Sequence, residues 1–457
     1  MQVAASDGFT SQLDISAGVL QGESLSPILF SLFLADIETF FLDSGVTGIN
    51  IGNKRDIVLL LYADDLVIVA ESEVELGKSL RALERYSDQN YLKVNTSKTK
   101  IVVFSRGGGI PKACTFSYKN KPIDIVSKFT YLGITFSSSS LFREMAYDTV
   151  QKAKHAIGAT IPLMTKTKMD SWTSQIHLLN SLILSIVTNC IVIGGLRYAD
   201  ILERVQLTFL KPILLVPINT PDFAVRLETS TAKFSLVIFQ HMLNWLIKLY
   251  EMEENRLPKM CFLRQLEITR IENKYNWASQ VKNLLEFANC QRSWRDINVA
   301  FLKANKNDLI DTFKQKVNQN DLRQLNDSSF LTFYRALDLS DQPQQYLHIR
   351  MPLQFTRTIA QLRLSNEFCI RFTFQGLTYK IDPKQLCTIC NKRELETLRH
   401  LLFECPIYTA MRPQNITNLL NPEYLANTLN NITPSTAKTI SNHIWNILKL
   451  RAFVINE

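Results

Sequence analysis

The stretch Leu60-Leu61-Tyr62-Ala63-Asp64-Asp65-Leu66-Val67-Ile68-Val69 sets two adjacent carboxylates between two apolar runs. The runs Ile57 to Tyr62 and Leu66 to Ala70 are too short for surface helices and too continuously apolar for loops. They predict two buried strands joined at Ala63-Asp64-Asp65. Burying both strands leaves little structural reason for paired charge at their junction, so the position calls for a cation. Asp is also common in solvated turns, and the surrounding order of motifs has to decide between the two readings.

Upstream, Gly18-Val19-Leu20-Gln21-Gly22-Glu23-Ser24-Leu25-Ser26-Pro27 is a turn that opens a helix, since Pro loses nothing at the first helical position after a Ser cap. Ile28 to Leu42 then reads as one strongly apolar helix ended by Asp43-Ser44-Gly45. Downstream, Ser72 and Glu75 form a capping-box pattern, and Leu76, Leu80, Leu83 and Tyr86 recur at helical spacing. Lys100 to Ser105 reads as a strand, Arg106 to Gly109 breaks it, and a hairpin is expected from about Thr115 to Phe136. The fold class is therefore α+β over 1–136. After Phe136 long helical patterns take over from Leu141, Met145, Val150, Ala153 and Ile157, and Pro212, Pro217 and Pro221 bound a loop after Leu202 to Lys211. Asp341-Gln342-Pro343-Gln344-Gln345 reads as a linker, which divides the chain into 1–136, 137–340 and 341–457.

A chain of 457 residues with 46% hydrophobic content can bury a core in each of two or three domains, and a net charge of +9 suits a polyanionic partner. The eight cysteines are spread thinly apart from one cluster, unlike a secreted disulfide framework, so a reducing, intracellular setting is expected. Met1 to Gly8 lacks the basic start and apolar run of a signal peptide. Leu178 to Leu196 reaches membrane-spanning length, but Asn180, Ser181, Ser185, Thr188 and Asn189 interrupt it. A buried helix, and no membrane partner, is the expectation.

Taken in order, the Gly18 to Pro27 turn, Tyr62-Ala63-Asp64-Asp65, Leu92-Lys93-Val94-Asn95-Thr96-Ser97-Lys98-Thr99-Lys100 and Phe129-Thr130-Tyr131-Leu132-Gly133 resemble the palm of a reverse transcriptase of the non-LTR retrotransposon kind. The resemblance implies a partial polymerase palm, an antiparallel sheet with helices on one face, over 1–136. It further implies a helical thumb and connector over 137–340 and a small C-terminal element over 341–457. It makes Asp64 the direct ligand and Asp65 the secondary ligand of two Mg²⁺ or Mn²⁺ ions. It lays Gln21 and Gly22 against template and incoming nucleotide, with Tyr62 nearby. Lys98 is brought to the leaving pyrophosphate as a positive charge and general acid, and Tyr131, Leu132 and Gly133 to the primer. RNA template and DNA primer are the implied partners, with an RNA-binding protein of the same element as a further one, and the nucleus is the implied place, the cytoplasm the alternative.

Glu23 stands where family members often have Ser, which places a negative charge near phosphates. The family's first catalytic Asp precedes the Gly-rich turn on a strand. Neither Asp7, followed by Gly8, nor Asp14, seven residues before Gln21, fits that pattern, and the fingers are not recognisable. The chain alone is therefore expected not to polymerise. A non-catalytic RNA- or DNA-binding remnant and a truncated reading frame of an active enzyme are the alternatives. No RNase H or endonuclease constellation is recognisable.

Near the end, Cys387-x2-Cys390-x9-His400-x4-Cys405 has three thiols and an imidazole at spacings that can close a tetrahedral site. It also matches the motif near the C-terminus of many non-LTR reverse transcriptases, and a structural Zn²⁺ is expected. Eight Lys or Arg against one acid, Asp124, lie between Lys93 and Lys128. Lys152, Lys154, Lys166 and Lys168 form a second basic run, and the two suggest walls facing a nucleic-acid backbone.

Overall fold

The computed structural model describes the chain apart from residues 1–3, 6–7, 10–17, 20–21, 53–55, 106, 110–114, 140–141, 190, 196, 273–275, 340–342, 367–369, 375, 413–421 and 456–457. It divides into two compact units. The first comprises Met1–Tyr131, Phe136–Leu141 and Glu253–Ile268, and the second Leu132–Thr135, Phe142–Met252 and Thr269–Glu457.

In the first unit helix Glu73–Gln89 starts where the sequence places it, with the Ser72 hydroxyl accepting from Glu75 N. The Glu75 carboxylate goes to Thr47 Oγ1 at 2.6 Å and Lys78 Nζ at 2.7 Å, so it ties the approach to strand Ile49–Asn50 onto the helix start. One face of this helix, Leu80, Leu83 and Tyr86, packs with Ile37, Phe41, Val58, Leu59, Phe116, Tyr118 and Ile123 in a single buried cluster. Strand Lys121–Ile125 is central to a three-stranded sheet, parallel to Lys100–Ile101 and antiparallel to Phe116–Tyr118. The strand expected over Lys100 to Ser105 is thus two residues long. The expected later hairpin is two hairpins, the second formed by Lys128–Tyr131 and Ile134–Ser137.

Three expectations do not hold in the structure. The single helix over Ile28 to Leu42 is two, Ser26–Phe33 and Ile37–Asp43. Leu25, not Ser26, is the flanking residue of the first. Asp36, between the two helices, accepts a 2.6 Å bond from the Tyr86 hydroxyl. Ile37 and Phe41 are buried beyond this break, whereas Ile28, Leu29, Leu32 and Phe33 before it are exposed. The two strands flanking Asp64-Asp65 are not buried either: Leu59 is, but Leu60, Leu61 and Tyr62 are exposed. Leu59–Tyr62 and Asp65–Ile68 pair only with each other among the described residues, and the exposed Leu60, Leu61 and Tyr62 alternate between both faces of that ribbon.

The second unit is mainly helical, and two buried ionic clusters lock its helices. Arg226 holds Asp321 through two bonds of 2.7 and 2.6 Å and Glu203 at 3.0 Å. Arg363 and Glu228, both fully buried, meet at 2.7 Å. Glu228 also accepts from the Tyr334 and Tyr346 hydroxyls, while Arg363 donates to Gln344 and the Leu429 carbonyl. Segments before and after residue 340 therefore share one core.

Pro212 does not bound a loop but lies inside helix Ala199–Leu214. The last turn accepts it, and Lys211 Nζ pins the following loop to Ile218 O and Asp222. The segment expected as one buried helix from Leu178 is broken into Trp172–Leu178, a π turn over Leu179–Leu184, Ser185–Thr188 and Ile191–Gly194. Its buried stripe is Leu179, Ile183, Val187 and Ile191, at four-residue spacing. No helix among the described residues is long and apolar enough to cross a membrane. A strand pair the sequence reading missed, Ile370–Phe374 with Leu377–Ile381, precedes the cysteine cluster.

Candidate active site and metal centre

Tyr62 pairs with Asp65, so Ala63 and Asp64 form a two-residue hairpin loop, tight enough to put Ala63 in the left-handed region at φ 52°. Asp64 thus sits in the turn and Asp65 on the first residue of the return strand, and both are exposed. Neither carboxylate has a basic partner among the described residues, which leaves both able to accept a cation.

Tyr131 closes the Lys128–Tyr131 strand. Its hydroxyl is held above its usual pKa first by burial and then by the charge of Asp65. Leu132 and Gly133 follow at φ 48° and 80°. Two successive positive values give the mirror-image turn that suits the right-handed twist of a hairpin, and glycine supplies the second without strain. Gly22 has φ 91° and open space where a Cβ would stand. Gln21, Asp7 and Asp14 lie outside the described residues.

Lys98 is exposed, on a turn built by Asn95. The Asn95 side chain accepts from Ser97 Oγ at 2.7 Å and from Lys98 N at 3.3 Å. The basic run around it is thinner than its count. Lys100 is paired with Asp124 at 2.6 Å, Lys119 is bonded to Asp88, and Arg106 and Lys112 lie outside the described residues. Lys93, Lys98, Lys121 and Lys128 remain exposed without ion pairs among those described, as do Lys152, Lys154, Lys166 and Lys168 of the second run.

The C-terminal cluster is assembled. Ligand atoms of Cys387, Cys390, His400 and Cys405, all buried, lie within 4.8 Å of one another. Cys387 and Cys390 sit on a narrow ribbon in which Cys387 N donates to Glu394 O and Glu396 N to Gln385 O, both at 2.8 Å. His400 and Cys405 are joined by the π turn His400–Glu404, whose wide pitch makes residues five apart neighbours: Cys405 N donates to His400 O at 2.8 Å. His400 Nε2 faces Cys390 Sγ at 3.4 Å while Nδ1 meets Glu394 Oε2 at 2.8 Å. The Nδ1 partner is what a metal-binding imidazole needs to keep its other nitrogen available.

Burial pushes the Cys405 thiol up to about 12 and also raises Cys387, whereas backbone N–H groups of Ile389 and Cys390 favour the Cys387 thiolate and that of Ile407 the Cys405 thiolate. The cluster is docked on helix Pro434–Ile455 through Arg451, which holds buried Glu396 by bonds of 2.7 and 2.8 Å. Glu394 and Glu396 were absent from the sequence reading, because nothing in their spacing distinguishes them from surface acids.

Residues 5–136 match the reverse transcriptase (RNA-dependent DNA polymerase) family. The chain is 26% identical over 201 residues, 43% of its own length and 32% of the relative's, to a retrovirus-related Pol polyprotein from type-1 retrotransposable element R2 of Popillia japonica. Over 174 residues it is 26% identical to the RNA-directed DNA polymerase from mobile element jockey of Drosophila melanogaster, covering 36% of this chain and 17% of that one. A probable RNA-directed DNA polymerase from transposon BS of the same fly is 29% identical over 132 residues, 28% of this chain and 14% of the relative. The matches thus span a third or less of these relatives.

With the paired carboxylates lying inside the matched residues, the chain carries a reverse transcriptase region. That region is of the non-LTR retrotransposon type, as its similarity to the R2 and jockey proteins indicates.

Proposed function

We propose that residues 5–136 serve as the palm of an RNA-directed DNA polymerase, with Asp64 and Asp65 as ligands for Mg²⁺ or Mn²⁺. The observation that carries this reading is the pair of exposed carboxylates, without basic partners among the described residues, at a two-residue hairpin tip inside the matched residues. Divalent ions held there supply positive charge where negative charge builds on the attacking 3′-oxygen and the triphosphate. Lys98, exposed on its Asn95 turn, offers an ammonium to the leaving pyrophosphate and can hold a proton for it. Gly22 lets a nucleotide approach the backbone, and Gln21 is assigned beside it by resemblance alone. The Tyr131-Leu132-Gly133 turn takes the primer, and the helical region over 137–340 the thumb and connector role.

Among the described residues no third acidic group joins Asp64 and Asp65. Because neither Asp7 nor Asp14 fits the pattern of the family's first catalytic Asp, we infer that this chain alone binds template and primer without extending them, since a two-metal centre short of a bridging carboxylate loses most of its charge stabilisation. A primer-extension assay with Mg²⁺ or Mn²⁺ tests both parts. No templated product is expected from this chain. Extension by the chain alone that Asp64→Ala abolishes would overturn the inactivity. Extension that survives Asp64→Ala would overturn the assignment of Asp64.

We further infer that Cys387, Cys390, His400 and Cys405 hold a structural Zn²⁺. Three sulfurs and one imidazole nitrogen, buried and within 4.8 Å of one another, suit a tetrahedral ion with bonds of about 2.0 to 2.3 Å. Near-stoichiometric zinc in reduced protein is the expected result of metal analysis.

A further inference from the structure

The strand pair that the sequence reading missed has two unlike faces. Ile370, Phe372 and Phe374 are buried, and Phe374 packs on Trp445 with ring centroids 4.8 Å apart. Side chains alternate along strands, so Arg371 and Thr373 point the other way, and the register sets Arg371 opposite Lys380 and Thr373 opposite Thr378. Two cations therefore stand directly across from each other, with Cβ atoms about 5 Å apart, a pairing that destabilises a ribbon unless something negative intervenes.

Among the described residues no acid pairs with Arg371 or Lys380. Of the four acids between residues 370 and 412, Glu394 serves His400, Glu396 serves Arg451 and Glu404 serves Arg399. The fourth, Asp382, accepts from Lys384 N. Arg371 Nε is itself buried and has no hydrogen-bond partner among the described residues. A buried donor without an acceptor is costly, and here it lies beside a like-charged neighbour. The Thr373 and Thr378 hydroxyls, bonded to each other at 3.2 Å, continue the same face and leave one O–H free to donate to a phosphate oxygen.

We propose that this face of the Ile370–Ile381 ribbon is a phosphate-contacting surface for a nucleic-acid strand, with Arg371 and Lys380 as the paired anchors. The ligand class rests on the polymerase reading above; the site does not, because it follows from strand register and the unpaired guanidinium. A guanidinium and an ammonium on one short ribbon match successive phosphates of a backbone, and each phosphate bound relieves the repulsion between them.

The test is fluorescence anisotropy of the full chain with a labelled single-stranded RNA across a salt series. The variants are the double substitution Arg371→Gln/Lys380→Gln, the single Lys380→Glu and a control on an exposed lysine, Lys438→Gln. The double variant is expected to bind about tenfold more weakly, with a log–log salt slope lower by about 1.4 for two phosphate contacts on a single strand, and the control to match wild type. Lys380→Glu converts the repelling pair into an attracting one, so its melting temperature should equal or exceed that of wild type while RNA binding falls.

Unchanged affinity and slope in both ribbon variants, with wild type binding RNA, would overturn this surface and leave the polymerase reading standing. Failure of wild type to bind RNA at all would instead count against that reading, and this surface would fall with it. Displacement of the RNA by a polyglutamate peptide of equal charge at equal concentration would assign the ribbon to an acidic protein and overturn the nucleic-acid assignment.

Discussion

His400 makes its two contacts through different nitrogens, Nε2 toward the thiols and Nδ1 toward Glu394, and the second contact decides what the first can do. A carboxylate at Nδ1 keeps the proton there and leaves Nε2 with its lone pair directed at a metal. Glu394→Gln is therefore expected to weaken zinc affinity by roughly 10- to 100-fold, read by competition with a chromophoric chelator, without unfolding the ribbon.

Glu75 acts through position as well. Lys78 and then Thr47 hold its carboxyl down at about 2, from an ordinary 4.5. A carboxylate depressed in the folded state stabilises that state above the unfolded pKa and loses the contribution as pH falls toward the folded one. The denaturant midpoint of wild type should exceed that of Glu75→Gln above about pH 5, and the gap should close progressively toward pH 2. A gap independent of pH would show that the charge on Glu75 contributes nothing.

At the scale of elements, the two tight hairpins show how local and distant information divide. Tyr131-Leu132-Gly133 carries its turn in its own residues, since a glycine stands where φ reaches 80°. Gly133→Ala would force a side chain into the left-handed region and should cost about 1–2 kcal/mol, measured by chemical denaturation. A Cβ there would meet only Asn189 Nδ2 at 3.5 Å, so backbone strain and not a clash is being tested. Tyr62-Ala63-Asp64-Asp65 has no such marker, and Ala63 adopts φ 52° because the register of the flanking strands demands it. The capped start at Ser72 and the amphipathic Glu73–Gln89 helix were readable for the opposite reason: a cap and a helical stripe involve residues three or four apart. The break at Asp36 was not, because the Tyr86 hydroxyl that bonds it lies fifty positions away.

Across the whole molecule, the most deeply buried charges are not at either candidate site. Arg363 and Glu228 are fully enclosed, joined by Tyr334, Tyr346, Gln344 and the Leu429 carbonyl, so each helix end in that cluster depends on the others. Removing one partner of such a pair strands the other in a low-dielectric interior. Arg363→Met should destabilise the second unit by about 3–5 kcal/mol, and replacing both residues with apolar ones should recover much of that loss. A double variant as unstable as the single one would mean that the hydroxyl and carbonyl contacts, and not the ion pair, hold the helices.

The chemistry-bearing residues of this protein were determined by short-range pattern: Asp64-Asp65 between apolar strands, the Gly133 turn, and three cysteines and a histidine at metal-closing intervals. Each of these signals is carried by neighbours along the chain, where backbone geometry alone sets which groups meet. Tertiary structure decided the rest: the exposure of the Leu60–Tyr62 face, the placing of Glu394 behind His400, the pairing of Lys100 and Lys119 with acids, and the opposition of Arg371 to Lys380. Those outcomes depend on which distant segment supplies the partner, and burial and electrostatics act between groups that are close in space, whatever their separation in sequence.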